Sequence, residues 1–120
     1  MSRLASFPFA VHGIGRLLKE PNARIHLIAT LVVVWAAAVL HVTPLEWIAL
    51  VFAIVLVFVA EALNTALESL ADATNPDHHP LVGTAKDVAA GGVLIAALGA
   101  VVVGALVFVP RFVELSQQLR

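Results

Sequence analysis

Three long apolar runs follow one another along the chain, separated by short polar interruptions. The first, about residues 25–42, carries no Asp, Glu, Lys or Arg, and its histidines His26 and His41 stand near its ends. The second, about residues 45–71, is free of charge from Trp47 to Ala60. At 1.5 Å per residue that part covers about 21 Å, short of a hydrocarbon core about 30 Å thick, so a spanning helix has to continue through Glu61. The third, about residues 86–109, is uncharged from Val88 to Val109. The pattern predicts three transmembrane helices. Thr43, Pro44 and Glu46 at the head of the second run make a capping-box pattern with proline at the first helical position. Thr84 and Asp87 suggest a cap for the third run, Pro110 suggests its end, and residues 111–120 read as a polar tail. The stretch SFPFAVHGIGRLLKE, about residues 6–20, interleaves Phe9, Ile14, Leu17 and Leu18 with Arg16, Lys19 and Glu20. It reads as an amphipathic surface helix broken near Pro21, retained rather than cleaved as a signal peptide.

Composition places this pattern in a bilayer. The 120 residues are 61% hydrophobic and 12% charged, whereas soluble domains carry about a quarter charged residues. The expectation is an all-α membrane protein with a single domain over residues 1–120. There is no cysteine, so thiolate metal sites and disulfides are excluded. A formal net charge of −1 gives no sign of nucleic acid as a partner. Arg3, Arg16, Lys19 and Arg24 precede the first run and Lys86 lies between the second and third, against Arg111 and Arg120 after the third. This distribution puts the N-terminus in the cytoplasm and the C-terminus outside.

The lower half of the second span carries the chemistry. At about 100° per residue, Glu61, Asn64, Thr65, Glu68 and Asp72 occupy one stripe about 100° wide. A carboxylate near hydrocarbon costs several kcal/mol unless it is protonated, paired, hydrated or bound to a cation. Singly, Asp72 reads as a solvated interface residue and Glu68 as an ion-pair partner for Arg24. Together the acids point to transport, proton relay, ion binding or catalysis, and periodicity does not choose among these. The glycines of the third span suit close helix packing, Trp35 reads as lipid-facing or packed on a neighbour, and Trp47 as an interface anchor. His78 and His79 beside Asp77 form at most a weak metal motif.

The run EALNTALESLAD, Glu61 to Asp72, closely resembles the signature of the small prokaryotic integral-membrane diacylglycerol kinase family, and AKDVAAGGVL, Ala85 to Leu94, resembles its second hallmark. The resemblance covers nearly the whole chain. It implies phosphorylation of a membrane lipid alcohol by MgATP in the bacterial cytoplasmic membrane, by a homotrimer with active sites between subunits at the cytoplasmic face. Carried across by position, it implies Glu61 as general base with Asn64 beside it and Glu20 and Glu68 as ligands of Mg²⁺. Asp72, Lys86 and Asp87 then stand around the nucleotide, with Lys86 on a phosphate.

The run EPNARIHL, Glu20 to Leu27, is similar to that of the undecaprenol kinase branch at Asn22, Arg24, Ile25 and His26. It departs at Pro21 and Ala23, and Pro8 stands where a lysine is common, so Arg24 and Lys86 would carry more of the phosphate recognition. Diacylglycerol and undecaprenol both remain open as acceptors. Hard carboxylate oxygens suit Mg²⁺, and phosphoryl transfer needs little beyond metal, cations and a group to orient the attacking hydroxyl. Neither a GxxxxGKS/T nor a GxGxxG run occurs, which excludes P-loop and protein-kinase mechanisms. The rival class is a small oligomeric ion or proton channel or transporter subunit, which would use the acids of the second span but has no need of the AKD block or Glu20.

Overall fold

The computed structural model describes residues 3–75 and 78–120. A single 3₁₀ turn, Arg3–Ser6, leads into four helices: α1 (Phe7–Leu17), α2 (Pro21–Val39), α3 (Pro44–Thr74) and α4 (Pro80–Gln118). Among the described residues there is no strand. The last three helices are long and apolar enough to cross a membrane, as the three apolar runs predict.

Local chemistry explains where the helices begin. Pro21, Pro44 and Pro80 each stand in a first helical turn, where the missing N–H would have had no partner and the fixed φ favours the helix. At the head of α3 the expected capping box is present: the Glu46 amide donates to Thr43 Oγ1 at 3.2 Å and the Thr43 amide donates to Glu46 Oε1 at 2.9 Å. Helix α2 closes in a Schellman motif. His41 adopts φ 51°, its amide donates to the Ala38 carbonyl at 3.4 Å, and the Val42 amide donates to the Ala37 carbonyl at 3.2 Å. Ala37 and Val42 are both buried in one apolar cluster with Leu50 and Val107, the hydrophobic contact that accompanies this motif. The α2–α3 hairpin is thereby fixed in a very short turn.

Several boundaries depart from the sequence expectations. The surface helix stops at Leu17 rather than Glu20, because Glu20 is already the N-cap residue of α2 and its carbonyl accepts from the Arg24 amide at 3.1 Å. Helix α4 starts at Pro80, since His79 supplies the cap through Nδ1, which accepts from the Leu81 amide at 3.1 Å. Thr84 bonds back to the Pro80 carbonyl at 3.2 Å inside the helix instead of capping it. Pro110 does not end α4, which continues to Gln118. An interior proline costs about 3 kcal/mol, and here it is flanked by buried Val107 and by Arg111, whose guanidinium pairs with Glu46. Trp47, in the first turn of α3, lies half-buried against the apolar cluster, whereas Trp35 is 67% exposed.

Helix α3 is the central element, packed along α4 and flanked by α2 and α1. The result is an open, elongated slab of 62 × 37 × 21 Å with a radius of gyration of 18.2 Å, where a compact soluble chain of this length would have about 14 Å. Most large apolar side chains face outward. A Cβ added at any glycine of α4 would meet nothing within 4 Å, so these glycines do not serve close packing inside one chain.

Candidate functional site

The buried positions of α3 are Leu50, Val57, Glu61, Asn64 and Ala71, which fall on one stripe about 80° wide. Two of the five are polar. Glu61 is 2% exposed and Asn64 7%, in a stripe otherwise built for apolar packing. Measured along the helix from Pro44, Glu61 lies about 25 Å away, Glu68 about 36 Å and Asp72 about 42 Å. Against a hydrocarbon core about 30 Å thick, Glu61 falls at the far edge of the core and the other two beyond it. Glu68 shares the angle of the buried stripe but is exposed, because the single chain leaves that turn of α3 uncovered.

Around Glu61 the bonding is incomplete. Its Oε2 is buried and has no hydrogen-bond partner among protein atoms, and neither has Asn64 Oδ1. The nearest cationic candidate is His26 of α2, with Nε2 3.9 Å from Glu61 Oε2. The His26 ring stands edge-on to Phe58, with centroids 6.5 Å apart and planes at 75°. One turn along α3, Asn64 Nδ2 donates to Glu68 Oε1 at 3.4 Å, tying the buried part of the stripe to its exposed end.

A second group gathers where α3 and α4 meet. Lys86 Nζ donates to Asp72 Oδ1 at 2.9 Å, and both residues line a cavity of about 320 Å³ together with His78, His79 and Asp87. Asp72 is therefore solvated, as expected, and paired as well. The structure thus brings together Asp72, Lys86 and Asp87 on one side, and Glu61, Asn64 and Glu68 on the other.

Arg24 and Glu20 are held elsewhere by the α1–α2 corner. Arg24 Nε donates to the Leu18 carbonyl at 3.3 Å, satisfying an orphan acceptor at the end of α1. It does not pair with Glu68, contrary to that reading of the sequence. The Glu20 side chain makes no capping hydrogen bond. Among the described residues no three of His, Cys, Asp or Glu converge as a metal site. Glu68 and Glu20 carry hard oxygens of the kind that suits a cation taking its remaining ligands from water and phosphate, as Mg²⁺ does, and they stand on separate elements. His79 is occupied as the α4 cap, and Asp77 of the weak histidine motif lies outside the described residues.

Three cross-helix pairs are marked by no local motif in the sequence. His26 and Glu61 lie about equally far from the hairpin turn at Thr43, so antiparallel packing sets them level. By the same symmetry about His79, Asp72 meets Lys86 and Glu46 meets Arg111. Equidistance from the turns was the signal that would have found all three pairs. His26 also forms part of the wall of an apolar cavity of about 350 Å³ between α2, α3 and α4, with Val33, Val57 and Phe108.

A family model described as prokaryotic diacylglycerol kinase matches residues 8–108. The chain is 40% identical over 114 residues to a diacylglycerol kinase of Synechocystis sp., an alignment covering 93% of this chain and 65% of that protein. It thus spans just under two thirds of that relative's length. It is 35% identical over 107 residues to an undecaprenol kinase of Bacillus subtilis, covering 88% of this chain and 87% of that protein. To a diacylglycerol kinase of Escherichia coli it is 34% identical over 85 residues, 71% of this chain and 70% of that one.

Proposed function

Because the chain belongs to the prokaryotic diacylglycerol kinase family, we propose that it transfers the γ-phosphoryl group of ATP to the hydroxyl of a membrane lipid alcohol, either diacylglycerol or undecaprenol. The observation that carries this reading is Glu61: a carboxylate 2% exposed, with an unpartnered oxygen, at the level where a headgroup hydroxyl meets the edge of the hydrocarbon. A proton acceptor is what that hydroxyl requires.

The reaction runs as an in-line displacement. The lipid hydroxyl gives its proton to the Glu61 carboxylate as its oxygen bonds to the γ-phosphorus. The bond from that phosphorus to the β,γ-bridging oxygen breaks, and its electron pair leaves with ADP. Asn64, bonded to Glu68, orients the segment between base and phosphates. Lys86 turns from Asp72 toward phosphate oxygens, while Asp72 and Asp87 border the nucleotide and Arg24 lends positive charge from the α1–α2 corner. Glu20 and Glu68 are the proposed ligands of Mg²⁺, which when bound neutralises charge on the β- and γ-phosphates. The apolar cavity beside His26 has the polarity to take part of a lipid tail.

The same reading puts the N-terminus and site on the cytoplasmic face of a bacterial inner membrane, following the Lys and Arg distribution. It also makes the active form a homotrimer, in which neighbouring copies cover the exposed Glu68 turn and the open glycines of α4. Native mass spectrometry from detergent is expected to give three chains; an active preparation containing only monomers would contradict it.

Transfer of label to a lipid separates the kinase from a channel. Purified protein in nanodiscs, given γ-labelled ATP and either lipid, is expected to move label into the organic phase with at least one of them. Ion conductance without labelled lipid would favour the channel class.

A further inference from the structure

We propose that His26 is the positioning residue for Glu61: its Nε2–H donates to Glu61 Oε2 when substrate closes the site, fixing which carboxylate oxygen faces the lipid hydroxyl. The inference rests on the reading of Glu61 as the base. It comes from four observations, three at Glu61 and one at the hairpin that sets its register. Glu61 Oε2 is buried without a hydrogen-bond partner; His26 Nε2 is 3.9 Å from that same atom; Phe58, one turn from Glu61 on α3, holds the His26 ring edge-on at 6.5 Å; and the His41 and Thr43 motifs lock the hairpin that sets α2 level with α3.

The separation is about 1 Å longer than a charge-assisted N–H···O bond. A small ring rotation or helix shift closes it, and catalytic hydrogen bonds are commonly long before substrate binds. A buried carboxylate with an unmade bond is unfavourable, so closure is downhill once the site is sealed. With Oε2 held by imidazole, Oε1 remains to accept the hydroxyl proton. A carboxylate without this bond would sample several rotamers and present its basic lone pair less often.

The test compares His26→Leu, His26→Gln and Glu61→Gln in nanodiscs with MgATP and whichever lipid is the better acceptor. Leucine keeps bulk but removes the donor; the glutamine amide restores an N–H near the position of Nε2. His26→Leu is expected to lower kcat about 10- to 100-fold, the effect of one hydrogen bond to a charged group, with KM for MgATP within about 2-fold. His26→Gln is expected to recover most of that loss. A readout independent of turnover is the ¹⁵N spectrum of labelled histidine: with substrate lipid bound, the His26 Nε2 signal is expected to shift between wild type and Glu61→Gln. Wild-type kcat in His26→Leu would overturn the proposal. So would equal losses in the leucine and glutamine variants, which would make the role one of ring packing. Normal turnover in Glu61→Gln would instead overturn the assignment of the base itself, and this inference with it.

Discussion

Glu61→Gln is expected to lower phosphoryl transfer by at least about 100-fold, the lower end of what a positioned general base contributes, while MgATP binding changes little. The substitution is nearly isosteric and removes the negative charge, and with it the capacity to take a proton. Its effect on stability should run the other way. A buried carboxylate with an unpartnered oxygen carries a desolvation penalty that a neutral amide largely escapes, so thermal unfolding of the variant is expected at the wild-type temperature or above it. Loss of activity together with retained or raised stability is the pattern of a residue kept for chemistry. A variant that lost both would mark Glu61 as a packing element, and one with near-normal turnover would remove it from the reaction.

Glu68→Gln and Glu20→Gln are each expected to raise the Mg²⁺ concentration needed for half-maximal turnover about 10-fold or more. Either residue supplies hard anionic oxygen from a different element, Glu68 from the exposed turn of α3 and Glu20 from the α1–α2 corner. Mg²⁺ is held by one or two carboxylates plus phosphates and water, so the loss of one charge weakens the site without abolishing it, and excess cation restores part of the rate. Neither side chain is buried, and oligomers should survive detergent extraction unchanged. Titration of Mg²⁺ at fixed ATP and lipid checks this. An unchanged requirement in both variants would leave the cation to the phosphates alone.

What was legible in the sequence was whatever is local or periodic. Thr43, Pro44 and Glu46 announce a helix start because all the atoms of a capping box lie within one turn, and the acids of α3 announce a face because helical spacing alone puts them there. Contacts between distant segments were legible only in part. Proline is a local stop signal, so the sequence points to an end at Pro110, whereas the helix is carried past it beside a pair between Glu46 and Arg111 that joins opposite ends of α3 and α4. Glu20 reads naturally as the last acid of a surface helix, yet Pro21 at the first helical position makes it the cap of the next. His26 looked like a polar interruption in an apolar run because its meaning depends on the register of a hairpin whose turn conformation, with His41 at positive φ, is not written in any single residue type. The α4 glycines mark a limit of a different kind: their open surroundings within one chain mean that whatever packs on them comes from outside it.

Whether a phosphoryl group travels from ATP to a lipid hydroxyl at this site is directly measurable. ³¹P NMR of protein in bilayers, with ATP, Mg²⁺ and a lipid alcohol in excess, follows donor and acceptor in one sample. The expected result is that the γ-phosphate signal decays as a lipid phosphomonoester signal grows in equal amount, and that neither changes with Glu61→Gln. ATP consumed only to inorganic phosphate, or left intact in the presence of both diacylglycerol and undecaprenol, would contradict it.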